Sequence, residues 1–239
     1  MGALIDAGVQ HVYHYTPLHY LPFIARDQHL RTKPSLKAAG FEETHFRSKS
    51  HKHDTARGFY NYAFLTLDPN PRILNAKLAG GFPHIEIAIP TSCVESVDYS
   101  LSRFNIAMTR QLRRGNKPGF PESSANGRYY GGKQVPVAYT DADKRELLRQ
   151  NLGKQMIEVL LHSDLPLQGS ISVVCFHERD AEIASDVLGR LGTRWSISNR
   201  GAPEYYLFHQ RHRKNVYDFI RTALQDPGWR GNGLDFDKV

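Results

Sequence analysis

Polar residues inside otherwise apolar, strand-like runs are the ones whose types and spacing could do chemistry. His14 and Thr16 lie in a β-branched and aromatic run near the start of the chain, and Glu158 lies between Ile157 and Val159 in another. A glutamate at such a position either alternates outward to solvent or faces a cleft. In a cleft, Glu158 is the best candidate catalytic acid of the chain, because a partly desolvated carboxylate stabilises a developing cation.

Hydrophobic periodicity, proline and glycine predict the elements that position these residues. A strand over 62–67 carries Tyr62 and Thr66. The other strands are predicted at 12–16, 84–89, 156–161, 170–176 and 205–209, and the helices at 18–30, 141–152, 181–191 and 214–224. Because the chain has no internal repeat and no linker that marks a boundary, these elements predict a single α+β (mixed α/β) domain over residues 1–239.

A long basic segment precedes the strand of Glu158. Between Leu101 and Pro136, basic and aromatic residues alternate with Gly, Pro, Asn and Ser, which predicts a long loop. Basic side chains interleaved with aromatics contact single-stranded nucleic acid by phosphate pairing and base stacking, and a merely solvated insertion is the alternative. The candidate nucleic-acid contacts are Arg110, Arg113, Arg114, Arg128, Tyr129, Tyr130 and Lys133.

The composition favours a polyanionic partner and a reducing compartment. The chain has 31 Lys and Arg against 24 Asp and Glu, a formal net charge of +7, and such a field concentrates nucleic acid. Cys93 and Cys175 each stand beside apolar residues, the usual setting of a buried free thiol. Residues 1–10 lack a signal-peptide pattern, and no run approaches the roughly 20 apolar residues of a membrane span, so we expect a cytoplasmic protein with no membrane partner.

The histidines His45, His51 and His53 invite a metal-binding interpretation. No cysteine or carboxylate set joins them, and Lys49 and Lys52 lie between them, so we expect a solvated basic loop and no metal. The chain also has no phosphate-loop or dinucleotide fingerprint, which argues against a Rossmann fold.

Two segments resemble a known family. Tyr13-His14-Tyr15-Thr16, followed by Leu21-Pro22-Phe23-Ile24, resembles the opening His-x-Thr strand and helix of the DarT-type ADP-ribosyltransferase toxins, which attach ADP-ribose from NAD to DNA bases. Ile157-Glu158-Val159-Leu160-Leu161, followed by Leu165-Pro166, resembles the strand of their catalytic glutamate. The resemblance implies an ADP-ribosyltransferase-like fold with a central split β-sheet and flanking helices, and NAD as co-substrate.

The resemblance also implies roles for individual residues. His14 would hydrogen-bond the NAD ribose, and Thr16, next to Tyr15 in the cofactor-binding strand, would hold the nicotinamide amide by side chain or backbone. Glu158 would bond the 2′-hydroxyl of the nicotinamide ribose, stabilise the cation that forms as nicotinamide leaves, and accept a proton from the attacking base.

Two further roles are implied with more than one candidate each. An arginine between the first two strands would assist the glutamate, and either Arg57 or Arg47 fills that place. Tyr62 or Phe64 would stack on the nicotinamide, with packing in the core as the alternative.

The sequence departs from family patterns at two points. Many enzymes that modify protein side chains have Gln or Glu two residues before the catalytic glutamate, where this chain has Met156, which counts against an arginine-modifying enzyme. The segment 64–72 matches the DarT pattern only loosely, so the acceptor stays open between DNA and RNA.

The leading prediction is an NAD-dependent ADP-ribosyltransferase that acts on bases of single-stranded DNA, or of RNA. The resemblance implies a toxin or anti-phage defence effector that an antitoxin protein restrains. One alternative is a nucleic-acid-binding protein without catalysis, and another is a metal-free ribonuclease that uses His14 or His162. Turnover of NAD separates the first prediction from both alternatives.

Overall fold

The backbone forms a large sheet with helices packed on one of its faces. The computed structural model describes residues 2–42, 60–69, 82–103, 127–130, 133–153, 157–201 and 213–231. For residues 127–130, 133–136 and 213 the description covers the backbone alone.

The elements are numbered in chain order. The strands are β1 (His11–Pro17), β2 (His29–Leu30), β3 (Ala63–Thr66), β4 (His84–Pro90), β5 (Tyr99–Ser102), β6 (Gly127–Tyr130), β7 (Lys133–Ala138), β8 (Glu158–Leu161), β9 (Leu165–Pro166), β10 (Ser172–Cys175) and β11 (Ser196–Asn199). The helices are α1 (Ala3–Asp6), α2 (Leu21–Asp27), α3 (Lys33–Ala38), α4 (Thr91–Val94), α5 (Asp141–Asn151), α6 (Glu178–Arg190) and α7 (Arg213–Gln225), with a 3₁₀ turn at Leu18–Tyr20.

Nine of the strands form one sheet in the order β11-β10-β4-β1-β3-β8-β5-β7-β6, and β2 pairs separately with β9. Neighbouring strands are antiparallel except β10 and β11, which are parallel. This arrangement confirms the predicted α+β class, whereas the extent of a single domain over 1–239 stays a prediction. The helices in the described part of the chain are too short or too polar to cross a membrane.

One face of the sheet carries the hydrophobic core. Leu65, Val159 and Leu101 are in register on β3, β8 and β5, and all three are buried. Paired residues point to the same face of a sheet, so this row defines the core face. Apolar residues from several helices complete the same cluster: Leu4 of α1, Leu21 of α2, Leu148 of α5, Val187 of α6 and Val216 of α7. Removing this apolar surface from water is the main force that holds the helices against the sheet.

The sheet opens between β1 and β3. These two strands, both fully described, are in register at Tyr13 and Thr66, whereas β1 and β4 pair along the whole of β1. Beyond that pair, the Nδ1 atom of His14 lies 3.0 Å from the backbone oxygen of Phe64, so a side chain spans the gap where a strand ladder would continue. The opening is the split that was predicted for the sheet.

The predicted loop over 101–136 is wrong at both ends. Leu101 and Ser102 end strand β5, and β6 and β7 form a hairpin at the edge of the sheet. These strands were not predicted because the many basic residues, glycines and prolines in this segment obscure the alternating pattern of a strand. Pro136 is tolerated inside β7 because it lies just beyond Ser102–Val137, the last pair of the β5–β7 ladder, and in Gly127–Pro136, the end pair of the β6–β7 ladder. Residues 104–126 lie outside the described residues.

The predicted helix over 18–30 is also wrong at its end. Gln28 adopts a left-handed backbone conformation, with φ of 52°, directly after α2, and Leu30 belongs to strand β2. The predicted helix at 141–152 is confirmed, with the Thr140 side chain accepting a hydrogen bond from the backbone of Asp143 as its N-cap. The strand predicted at 205–209 lies outside the described residues, and β11, which was not predicted, forms the other edge of the sheet.

Candidate active site

The sheet face opposite the core carries a row of polar residues in register. Tyr13, Thr66, Glu158 and Ser102 pair across β1, β3, β8 and β5, so their side chains share one face, which we call the polar face. Glu158 is 5% exposed, and Ser102 is fully buried. The interpretation that Glu158 alternates outward to solvent is therefore wrong. A buried carboxylate on a polar face has the setting expected of a functional glutamate.

The geometry of His14 fixes the state of its ring. Because the Phe64 carbonyl oxygen only accepts hydrogen bonds, the Nδ1 atom of His14 carries the proton in this contact. In the neutral ring, Nε2 is then the accepting nitrogen. His14 lies on β1 and Glu158 on β8, on the two sides of β3. Because His14 is in register with the core residue Ile87, its side chain points to the face opposite to that of Glu158. The structure thus places both predicted residues on strands around the opening, with their side chains on different faces of the sheet.

Tyr15 is engaged in a buried network that sequence reasoning missed. Its hydroxyl donates to a carboxylate oxygen of Glu86 on β4 at 2.7 Å, and Arg200 donates to the other oxygen at 2.8 Å. Glu86 is fully buried, while the Arg200 side chain is about half exposed. Tyr15 lies in β1, the strand predicted to bind the cofactor, and its hydroxyl donates to Glu86. Any contact of Tyr15 with a ligand would therefore be made by its backbone.

Glu86 and Glu158 have the same local sequence pattern, a glutamate inside an apolar strand. Glu86 stands between Ile85 and Ile87 in an apolar strand, just as Glu158 stands between Ile157 and Val159. Glu86 forms a salt bridge with the distant Arg200. Glu86 therefore serves the sheet as a charge-matched structural residue on the polar face.

Tyr13 links this network to the row of Glu158. Burial raises the pKa of the Tyr13 hydroxyl, the carboxylate of Glu86 raises it further, Arg200 lowers it, and Asp68 raises it again. Tyr13 therefore keeps its proton at neutral pH and remains a hydrogen-bond donor. The polar face consequently runs without a break from the Glu86–Arg200 pair to Glu158.

Aromatic residues cover the polar face beyond Glu158. Tyr62 and Phe64 pack with Leu160 in a small cluster separate from the main core. The Tyr62 ring stacks on His162, with centroids 4.7 Å apart and planes at 20°. Packing in the hydrophobic core, the alternative predicted for Tyr62 and Phe64, is what the structure shows for both, in this smaller cluster. One face of the Tyr62 ring is already occupied, which leaves Phe64 better placed to stack on a ligand.

His162 is held in a chain of polar contacts. Its Nε2 atom lies 2.9 Å from the hydroxyl of Ser100, and its Nδ1 atom lies 3.0 Å from the carboxylate of Asp98. His14 makes its described hydrogen bond elsewhere, to the backbone of Phe64. The two histidines proposed for a ribonuclease therefore lie in separate networks, on β1 and beyond the end of β8.

Thr16 is buried beside Ile85, its register partner on β4. Because Ile85 belongs to the core, the Thr16 side chain faces away from the polar face. Of the two ways predicted for Thr16 to hold a nicotinamide amide, the backbone is the one that this geometry favours. The edge of β1 past Tyr13 borders the opening.

Several predicted site residues lie outside the described part of the chain: Arg47, Arg57, Arg110, Arg113, Arg114 and the histidines His45, His51 and His53. Others have a described backbone only, namely Arg128, Tyr129 and Tyr130 on β6 and Lys133 on β7. Their roles stay predictions. Within the described ranges, no group of three or more His, Cys, Asp and Glu is arranged to hold a metal ion.

Both cysteines are buried and free, as predicted. Burial raises the pKa of the Cys175 thiol to about 12, with a further contribution from Asp180. Cys175 is therefore protonated at neutral pH and is a packing residue, not a nucleophile.

Solved structures share the fold of this chain. DarT of Thermus sp. 2.9, in complex with ADP-ribosylated single-stranded DNA, superposes with a TM-score of 0.54 at 12% identity, covering 81% of this chain and 95% of that chain. Its complex with NAD⁺ superposes with a TM-score of 0.50 at 12% identity, covering 80% and 96%. No protein-family model matches the chain, and no curated protein matches it. The chain thus has the fold of DarT, which confirms the ADP-ribosyltransferase-like fold that the sequence resemblance implied.

Proposed function

We propose that this chain is an NAD-dependent ADP-ribosyltransferase that transfers ADP-ribose to a base of single-stranded nucleic acid, with DNA favoured over RNA. The observation that carries the proposal is the buried Glu158 on the polar face, two strands from His14 and beside the opening of the sheet. The DarT structures of the same fold hold NAD⁺ and ADP-ribosylated single-stranded DNA, which supports the same substrates here.

The reaction needs a fixed negative charge at one carbon atom. As the bond between nicotinamide and its ribose breaks, positive charge develops on the anomeric carbon. The Glu158 carboxylate, bonded to the neighbouring 2′-hydroxyl, stabilises that charge more than it stabilises the ground state. A base nitrogen then forms the new bond to the same carbon, and Glu158 accepts the proton that the nitrogen loses.

The opening between β1 and β3 is the proposed binding site of NAD. His14 would accept a hydrogen bond from a ribose hydroxyl at Nε2, since Nδ1 is committed to the Phe64 carbonyl. The backbone of Tyr15 and Thr16 would hold the nicotinamide amide, with the Phe64 ring stacked on nicotinamide. Either Arg57 or Arg47 would assist Glu158.

The acceptor assignment rests on charge and on the basic segment. The net charge of +7 attracts polyanions, and the candidate contacts between Arg110 and Lys133 in the sequence combine cations with aromatic rings. We further propose a cytoplasmic toxin or defence effector that an antitoxin protein restrains. A base-modifying enzyme damages its own host unless it is controlled.

One experiment tests the acceptor class directly. The protein is incubated with NAD labelled in the ADP-ribose part and, separately, with single-stranded DNA, RNA and a mixture of proteins. We expect label on the single-stranded DNA oligonucleotide, with RNA labelled more weakly. Label on protein alone would contradict a nucleic-acid acceptor, and cleavage of RNA without NAD would support the ribonuclease alternative.

A further inference from the structure

Three partly exposed rings form a cluster on the polar face, at the end of β8. The His162 ring stacks on Tyr62 with 4.7 Å between centroids, and the Tyr139 ring meets it edge-on at 6.1 Å and 62°. Both tyrosines pack against the small buried cluster of Leu160 and Val137. Each of the three residues is partly exposed, and together we call Tyr62, Tyr139 and His162 the aromatic platform.

A hydrogen-bond network fixes the centre of the platform. Because a carboxylate only accepts, the Nδ1 atom of His162 donates to Asp98 at 3.0 Å, and in the neutral ring Nε2 accepts from the Ser100 hydroxyl at 2.9 Å. The order of the three groups is that of a hydrolytic triad. Ser100 is fully buried, however, so its hydroxyl is closed to a substrate. The network therefore serves to orient the His162 ring and the Tyr62 ring stacked on it.

Partly exposed rings that are held in place suit a flat partner that stacks. The Tyr62–His162 pair is already a short stack, which a further ring extends at a small ordering cost because the orientation of the pair is set. Nucleic-acid bases are such rings, and an aromatic side chain accepts any of them because every base has a π-face. The net charge of +7 attracts the phosphates that come with the bases.

The platform adjoins both Glu158 and the hairpin of β6 and β7. His162 follows Glu158 by four residues, about 13 Å in an extended strand. Tyr139 directly follows β7, and the hairpin carries Arg128 and Lys133, cations of the type that pair with phosphates. Stacked bases are about 3.4 Å apart along a strand. A base on the platform is therefore within a few nucleotides of a base held at Glu158.

We propose that the aromatic platform stacks on a base of the acceptor strand that flanks the modified base, an inference that rests on the proposed function. The platform contacts the face of the flanking base and not its hydrogen-bonding edge, so it accepts any base at that position. It holds the strand while the neighbouring base reaches Glu158. Its residues bind the acceptor and take no part in bond breaking.

Two DNA probes of equal length test this role with the full chain. One is a short labelled single-stranded oligonucleotide, and the other is an abasic strand with the same phosphates. In fluorescence anisotropy at one fixed salt concentration, we expect Tyr62→Leu to weaken binding of the oligonucleotide by about tenfold. Binding of the abasic strand stays unchanged, because it has no bases to stack.

Two variants serve as controls for this experiment. Tyr62→Phe keeps the ring and should bind both probes as the wild type does. Phe82→Leu removes a partly exposed ring that packs against the main core, and it should also bind both probes normally. Where Tyr62→Leu melts early, Tyr139→Leu is measured in the same way, with Tyr139→Phe as its control.

The outcomes separate this inference from the proposed function. If the wild type transfers ADP-ribose to the oligonucleotide, while Tyr62→Leu binds that oligonucleotide as tightly as Tyr62→Phe, the role of the platform is wrong and the function stands. A wild type that binds the abasic strand as tightly as the oligonucleotide would likewise contradict stacking on a base. If the wild type neither binds nor modifies the oligonucleotide, the inference and the proposed acceptor are both wrong.

Discussion

Replacing Glu158 with Gln is expected to lower the rate of nicotinamide release from NAD by about 10²–10³-fold. The substitution keeps the size of the side chain and removes only its charge, so the positive charge on the anomeric carbon loses its stabilising partner. Because Glu158 is buried among the strands, a neutral side chain there should not unfold the protein. Nicotinamide release is measured by chromatography, and folding by thermal denaturation.

A surface glutamate supplies the control for this prediction. Glu182 lies on α6 and pairs with Arg179 at an exposed site, so Glu182→Gln should leave nicotinamide release unchanged. Binding of ADP-ribose to Glu158→Gln should persist, because the carboxylate acts mainly on the transition state. A Glu158→Gln variant that releases nicotinamide at the wild-type rate would remove Glu158 from the mechanism.

Replacing Arg200 with Met is expected to lower the free energy of unfolding by about 2 kcal/mol. The substitution leaves the fully buried carboxylate of Glu86 with the Tyr15 hydroxyl but without its cation. The expected loss is below the 3–5 kcal/mol typical of a broken buried pair, because the Arg200 side chain is about half exposed. Urea denaturation at pH 7 measures the change.

Two comparisons make this stability prediction specific. Arg190→Met breaks the exposed pair with Asp186 and should cost no more than about 0.5 kcal/mol. The double variant Arg200→Met with Glu86→Gln removes the buried charge as well and should recover part of the loss. Equal stability of Arg200→Met and Arg190→Met would mean that Glu86 is neutralised in another way.

Local patterns predicted the strands that carry Glu158 and His14, because each has alternating or apolar residues closed by turn signals. The same patterns did not separate Glu158 from Glu86, which stands in an equally apolar strand. The salt bridge of Glu86 is made with Arg200, a residue 114 positions away in sequence. Contacts across such distances depend on strand order and register, which a local pattern does not contain.

The polar face could not be predicted for the same reason. Ser102 faces Glu158 only because β5 pairs with β8, and the strand itself was missed beside a basic segment. The sequence thus predicted Glu158 and His14, whose local settings are distinctive. Their neighbours depend on how the strands pair in the sheet.

The balance between nicotinamide released and ADP-ribose bound to DNA tests the central claim most directly. The protein is incubated with NAD and a single-stranded DNA oligonucleotide, and both products are counted in the same sample by mass spectrometry. We predict that each nicotinamide released corresponds to one ADP-ribose unit on the oligonucleotide. An unmodified oligonucleotide, with NAD either intact or hydrolysed to free ADP-ribose, would contradict a transferase that acts on nucleic acid.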